Sequence, residues 1–199
     1  MLEGRTDVFY GARVRLVSLP SFDFFIFSDA SFDSDSGVGM GAILRLRKTD
    51  WRNPVETTDL PIQTMVFRAK NIARLELVTV LWALENFVSE RKAELPGSVP
   101  PPICLITDCK TIGDLPQRRR KLEAGNFQSK PTSLTLANAD LYRKFFGAYD
   151  KLHPTVIWTR GHSPSGKCWE LQQIFARVDS AARQALRKYL KGRDATSER

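Results

Sequence analysis

Three acidic residues follow or interrupt apolar segments, where an acid is costly unless it has a partner. Asp29 ends the run FDFFIFSD, Asp108 ends the run ICLITD, and Glu76 lies beside the apolar stripe of a predicted helix. A divalent cation is a suitable partner, because Mg²⁺ prefers hard oxygen ligands and is commonly held by a few carboxylates. The residue types therefore favour a carboxylate metal site.

Each acid also has an ordinary structural alternative. Asp29 or Asp108 could cap the segment that follows it, and Glu76 could pair with Arg74 or with a neighbouring helix. The metal interpretation rests on the three acids together, because ligands at the ends of neighbouring strands converge at the carboxyl edge of an α/β sheet.

Strand-like segments come first among the elements that must position these acids. Aromatic and β-branched residues fill the segment 22–29, and a second apolar run covers 38–46 after a turn rich in Ser, Asp and Gly. A third candidate strand, 62–68, follows a polar loop that contains Pro54 and Pro61. The pattern predicts a β-hairpin extended to an antiparallel meander.

The spacing of apolar residues then becomes helical. They recur at three- and four-residue steps from Asn71 to about Arg91, which predicts a helix that ends before the Pro-rich segment 96–102. The run 103–108 is continuously apolar, as in a strand buried on both faces. Strand, helix and strand together predict a right-handed parallel crossover.

The rest of the chain completes an α/β domain. We predict a short helix and a loop within 111–135, and then a helix, a strand and a final helix over 141–152, 154–158 and 170–191. Trp158 in the last strand is interpreted as a packing residue. The expected fold class is α/β, with a mixed five-stranded sheet of three antiparallel strands and then two parallel ones, flanked by helices. We expect an N-terminal extension over 1–20, one domain over 21–191 and a flexible C-terminal tail over 192–199.

Charge and composition narrow the choice of partners. The formal net charge of +8 and the sequence pI near 9.6 favour polyanions, and nucleic acid first among them. No apolar run approaches the ~20 residues of a membrane span, so no membrane partner is expected. The three cysteines form no CxxC pair, which favours a reducing compartment and an intracellular location, in cytoplasm, nucleus or an organelle.

Six segments of the sequence, taken in order, resemble the motifs of the type-one branch of the ribonuclease H family. They are SDASFD, GVGMGAILR, ARLELVTVLWALENF, LITDCKTI, WTRGHSP and ARVDSAARQAL. The resemblance implies a ribonuclease H-like fold and two divalent metal ions, Mg²⁺ or Mn²⁺. Matched residue by residue, it places the metal ligands at Asp29, Glu76, Asp108 and Asp179, and a catalytic histidine at His162.

Two departures from the family pattern affect the expected site. Ala30 stands where the family often has glycine, at a place where the backbone would pass close to an RNA strand. The stretch between His162 and Asp179 is longer than is usual in the family. The resemblance therefore constrains the placement of His162 least.

The resemblance implies an endonuclease that cuts the RNA strand of RNA/DNA hybrids, either free-standing or as the ribonuclease H module of a retroelement. The chain would act as a monomer or as part of a larger polyprotein. Candidate substrate-binding residues near the acids and in a basic cluster are Ser31, Asn71, Arg74, Lys110, Arg118, Arg119, Arg120 and Lys121. The alternatives are a catalytically silent ribonuclease H-like domain that binds nucleic acid, and a DNA-directed nuclease of the same superfamily.

Overall fold

Five strands and four helices follow one another in the predicted order along the described part of the chain. The computed structural model describes residues 22–49, 60–94, 99–159 and 170–197. The elements are β1 (Phe24–Asp33), β2 (Val38–Arg47), β3 (Gln63–Arg68), α1 (Ile72–Glu94), β4 (Ile103–Thr107), α2 (Lys110–Ala124), α3 (Ala139–Leu152), β5 (Thr155–Trp158) and α4 (Glu170–Ser197). No helix of this described part is long and apolar enough to cross a membrane.

The strands form one mixed sheet in the order β3-β2-β1-β4-β5. β1 pairs antiparallel with β2, which pairs antiparallel with β3, whereas β1–β4 and β4–β5 are parallel. The predicted α/β class and the mixed five-stranded sheet are therefore confirmed. α1 follows β3 and leads into β4, so it is the crossover helix between these two parallel strands, which lie on either side of β2 and β1.

Side chains of β1 alternate between two apolar layers. Phe24 and Ile26 belong to a core shared with α1 and α3, while Phe25 and Phe27 belong to a second core beneath α4. A central strand covered on both faces needs apolar residues at every position, which explains the unbroken run FFIF. The alternation places Asp29 on the α4 side of the sheet.

β1 continues past the apolar run that predicts it. Asp29 lies within the strand opposite Ala42, and pairing continues to Asp33 opposite Val38. The turn that follows is fixed by Asp33, whose carboxylate accepts hydrogen bonds from the backbone N–H of Ser36 at 2.9 Å and from its hydroxyl. The predicted end of the strand at Asp29 was wrong, because hairpin hydrogen bonds extend further than the apolar pattern.

Two helices extend furthest beyond their predicted bounds. α2 runs for 15 residues and contains Pro116, because Ile112, Leu115 and Leu122 are buried and stabilise it by packing. α4 was expected to end at Lys191, but it continues to Ser197. Each residue added to an existing helix gains one hydrogen bond, so a polar segment without a breaking proline can extend it.

Two glycines of β2 allow α1 to lie close to the sheet. A Cβ atom on Gly41 would be 2.5 Å from Thr79 Oγ1 and 2.9 Å from Phe67 Cε2, and one on Gly39 would be 2.2 Å from Leu75 Cδ2. Thr79 cannot move away easily, because it is fully buried and its hydroxyl donates to the Leu75 carbonyl at 3.0 Å. This contact fixes the depth of the helix that carries Glu76.

We expect Gly41→Ala to lower the free energy of unfolding by about 1–3 kcal/mol, because the added methyl group overpacks the contact between β2 and α1. Gly147→Ala is a matched control on α3, where a Cβ would meet nothing within 4 Å. That change should stabilise the protein by about 0.5–1 kcal/mol through helix propensity. Urea denaturation of both variants checks the prediction, and equal effects would contradict it.

Candidate active site

Three acidic side chains from three elements come together at one place on the sheet. Asp29 lies in β1, Asp108 directly follows the parallel neighbour β4, and Glu76 lies in the first turns of α1. Their proximity is evident from their electrostatics, because the charges of Asp108 and Glu76 both raise the pKa of Asp29. The pairing of β1 with β4 and the crossover from β3 through α1 to β4 thus bring together residues that are far apart in sequence.

Burial and mutual repulsion disfavour the fully ionised form of this cluster. The pKa of Asp29 is raised from 3.8 to about 7, first by burial and then by Asp108, against an opposing hydrogen bond from the Ala30 backbone. The pKa of Glu76 is also raised, mainly by burial, while the Cys109 thiol opposes the rise by donating a hydrogen bond to its carboxylate. At Asp29 and Glu76, burial and repulsion therefore outweigh the favourable contacts that the described residues supply.

Asp179 of α4 is held by an ion pair within its own helix. Arg183 donates from Nε to Asp179 Oδ1 at 2.7 Å and from Nη2 to Oδ2. The positive charge of Arg183 also lowers the pKa of Asp29, which places the guanidinium between α4 and the acid of β1. Arg183 was missed in the sequence, although its i,i+4 spacing from Asp179 is a recognisable signal.

The donor chemistry of the cluster fits a hard divalent cation. Asp29, Glu76 and Asp108 offer only carboxylate oxygens, and a cation between them would relieve the repulsion that contributes to the raised pKa values of Asp29 and Glu76. Within the described ranges, no three His, Cys, Asp or Glu side chains are already arranged as a metal-ion site. A cation that also used Asp179 would have to replace Arg183 as its partner.

The backbone that carries Asp108 is anchored on both sides. Trp158 of β5 donates from Nε1 to the Asp108 carbonyl at 2.8 Å. The Thr107 hydroxyl accepts the backbone N–H of Cys109 at 3.1 Å, and that cysteine is the partner of Glu76. Trp158 is therefore a packing residue that also anchors the backbone of Asp108. The two residues are 50 positions apart, and the sequence did not reveal this contact.

We expect Trp158→Phe to lower the free energy of unfolding by about 0.5–1.5 kcal/mol, because one hydrogen bond to a partly buried carbonyl is lost. Trp82→Phe on α1 is the control, since its ring packs against Phe67. Urea denaturation of both variants checks the prediction. Equal losses of stability in the two variants would mean that the bond to the Asp108 carbonyl has no special role.

The residues predicted to contact substrate near the acids have varied surroundings. Ser31 lies two residues after Asp29 in β1 and is partly exposed on the same face. Asn71 caps α1, with Oδ1 accepting the backbone N–H of Arg74 at 2.9 Å. Arg74 binds both carboxylate oxygens of Asp140, and Lys110 binds Asp114 at 2.7 Å. Their role with substrate stays a prediction.

The basic cluster 118–121 lies on α2, and its members differ in their contacts and exposure. Arg119 is tied to α3, because its guanidinium binds both carboxylate oxygens of Asp150 and lies 5.2 Å from the Phe146 ring centre. Its Nε also donates to Glu123 at 2.8 Å. Three other members of the cluster are exposed, namely Arg118, Arg120 and Lys121. His162, which the resemblance places in the site, lies outside the described residues.

Similar solved structures share this fold. The ribonuclease H domain of PFV has a TM-score of 0.60 and 12% identity, covering 84% of this chain and 96% of that one. LC9-RNase H1, a type 1 ribonuclease H with the type 2 active-site motif, has a TM-score of 0.57 and 18% identity, covering 83% of this chain and 72% of that one.

A foamy viral protease-reverse transcriptase in complex with an RNA/DNA hybrid is similar at a TM-score of 0.57 and 10% identity. It covers 89% of this chain, which spans 22% of that protein's length. No protein-family model and no curated protein matches the sequence. At these identities the likeness establishes the ribonuclease H-like fold, and function must be argued from the site.

Proposed function

We propose that this protein is a metal-dependent endonuclease that hydrolyses the RNA strand of RNA/DNA hybrids. The observation that carries the proposal is the acid cluster of Asp29, Glu76 and Asp108 on a ribonuclease H-like sheet, where burial and repulsion raise the pKa of Asp29 to about 7. Such crowding is costly for stability alone and is characteristic of functional sites. The neighbour that binds an RNA/DNA hybrid and the net charge of +8 support a nucleic-acid substrate.

Asp29, Glu76, Asp108 and Asp179 would hold Mg²⁺ or Mn²⁺, two ions in the complete site. When bound, such a pair supplies activation of water and stabilisation of the departing oxygen in phosphodiester hydrolysis. The carboxylates themselves position that charge, and they must be ionised to do so. His162 would move a proton, as suits a side chain that titrates near neutrality.

The substrate would be held by the polar and basic residues around the acids. Ser31 lies on the same face as Asp29, and Asn71 stands exposed at the beginning of the helix that carries Glu76. Side chains of this type can reach the 2′-hydroxyls that distinguish RNA from DNA. The exposed residues Arg118, Arg120 and Lys121 would contact the phosphates of the DNA strand.

The ion pair of Arg183 with Asp179 favours one alternative, a catalytically silent domain that binds nucleic acid. In such a domain an internal guanidinium would stand in for the charge of a metal ion, and Asp179 would never release it. A nuclease directed at DNA is the other alternative. The difference between these functions is measurable, because only the nucleases cut and only one of them cuts the hybrid.

The test is cleavage of a labelled RNA/DNA hybrid with Mg²⁺ or Mn²⁺, beside double-stranded DNA and single-stranded RNA. We expect cutting of only the RNA strand of the hybrid, lost on chelation and in Asp108→Asn. Asp35→Asn, at an exposed turn residue, is the matched control and should cut normally. Tight binding of the hybrid without cutting would establish the silent domain, and cutting of duplex DNA would establish the DNA-directed enzyme.

A further inference from the structure

A shallow groove lies between the outer strands of the sheet and the C-terminal half of α4. Its volume is about 800 Å³. Met40 of β2 and Thr64 of β3 form one wall, and the other wall consists of Ala185, Lys188, Tyr189, Gly192 and Arg193 of α4. Neither the acid cluster nor any residue predicted to bind substrate lines it. The groove is therefore separate from the candidate active site.

The C-terminal half of α4 is strongly basic. Between Ser180 and Arg193 it contains five Lys or Arg residues and no Asp or Glu. All five are exposed: Arg183, Arg187, Lys188, Lys191 and Arg193. Arg183 is paired with Asp179, but the excess of positive charge along this part of the helix attracts the evenly spaced charges of a phosphate backbone.

These basic residues form a path from the acid cluster to the groove. Arg183, Arg187 and Lys191 follow each other at four-residue steps, so they lie in one row that begins at the partner of Asp179. Lys188 is next to this row and lines the groove. The outward surface of α4 thus connects the two places with continuous positive charge.

The groove also offers an aromatic surface beside its cations. Tyr189 lines the groove and is 37% exposed. Aromatic rings next to Lys and Arg stack with sugars or bases while the cations neutralise phosphates. Val66 of β3, 41% exposed, lies opposite Met40 in the sheet and adds an exposed apolar side chain beside the groove.

We propose that this groove and the basic row of α4 bind the sugar–phosphate backbone of the same RNA/DNA hybrid beyond the point of cleavage. The inference rests on the proposed nucleic-acid partner. Arg193 lies fourteen residues after Asp179, about 21 Å along a helix that rises about 1.5 Å per residue. That distance corresponds to about six steps of a duplex at ~3.4 Å each. A hybrid must extend at least this far from the acids to reach Arg193, at the far end of the groove.

The test measures binding by fluorescence anisotropy with a chelator present, so that no strand is cut. The double variant Lys188→Glu/Arg193→Glu is compared with Lys144→Glu/Lys151→Glu, which changes two exposed lysines of α3 on the opposite side of the sheet. Both pairs lower the net charge equally. With the acids at its centre, a hybrid of about 24 base pairs extends about 12 steps to either side and passes Arg193, whereas one of about 8 extends about four steps and stops short of it. Melting curves establish that each variant is folded. If the first pair is not folded, Lys188→Gln/Arg193→Gln is compared with Lys144→Gln/Lys151→Gln.

We expect the groove variant to weaken binding of the long hybrid by about tenfold or more and to reduce the salt dependence of log Kd by about two, since about one counterion is released per phosphate contact. On the short hybrid the loss should be about twofold at most, and the α3 variant should bind both hybrids like the wild type. Equal losses in the groove and α3 variants, or no binding of the long hybrid by the wild type, would overturn the proposal. If binding depends on the groove but the protein cuts no substrate, the groove proposal stands and the proposed nuclease function is rejected.

Discussion

Asp29→Asn should abolish hybrid cleavage and at the same time stabilise the metal-free protein at pH 8. Activity should fall by at least about 10²–10³-fold, the usual effect of removing one group from a preorganised electrostatic site. Stability should rise because the wild-type carboxylate is ionised at this pH against burial and the charges of Asp108 and Glu76. Few substitutions of ordinary buried residues increase stability, so the combination is diagnostic.

The size of the stabilisation follows from the pKa. A rise from 3.8 to about 7 corresponds to roughly 4 kcal/mol at about 1.4 kcal/mol per pH unit, which is an upper bound because asparagine must also be desolvated. We expect about 2–4 kcal/mol in urea denaturation with a chelator present. Asp23→Asn, an exposed residue just before β1, is the control and should change neither quantity. An Asp29→Asn protein less stable than the wild type would show that the acids do not repel one another as described.

The stability of the wild-type protein without metal should fall as pH rises from about 4 through 7, and divalent cations should reverse this fall. The folded protein holds a proton on Asp29 where the unfolded chain has lost it, so folding is favoured below pH 3.8 and loses that contribution as pH passes about 7. The raised pKa of Glu76 acts in the same direction. Arg74 lowers the pKa of Asp140 from 3.8 to about 2, so Asp140 has the opposite effect on stability. Its stabilising contribution develops as pH rises from about 2 to 3.8 and is already fully present where this window begins.

Added Mg²⁺ should raise the melting temperature more at pH 8 than at pH 5, because protonated carboxylates bind the ion poorly. At a concentration about 100 times its dissociation constant, the ion contributes about 2.7 kcal/mol, or roughly 5–10 °C for a chain of this length. Melting curves at both pH values, with and without the ion, check this for the wild type and for Asp29→Asn. A shift of the same size at both pH values, or in both proteins, would mean that the ion does not bind at the acid cluster.

The sequence by itself determined most of the architecture. The unbroken run FFIF predicts a strand covered on both faces, and the change from alternation to helical spacing near Asn71 predicts the crossover helix. These patterns are local and follow from burial, so they can be recognised from the sequence alone. The same reasoning singled out Asp29, Glu76 and Asp108, because each acid stands in an apolar setting, and the structure brings these three together.

Tertiary structure decided which polar groups are engaged with each other. Arg74 and Arg119 were predicted to meet substrate, yet each is bound to an aspartate 66 or 31 residues away, and Trp158 holds Asp108 across 50 residues. Neither hydrophobic period nor residue type encodes such pairs, since they depend on which surfaces the fold brings into contact. The extension of β1 beyond Asp29 has the same origin, because its hydrogen bonds belong to the partner strand β2. The sequence pattern thus predicts which segments are buried, whereas the partners of charged groups depend on the three-dimensional packing of distant segments.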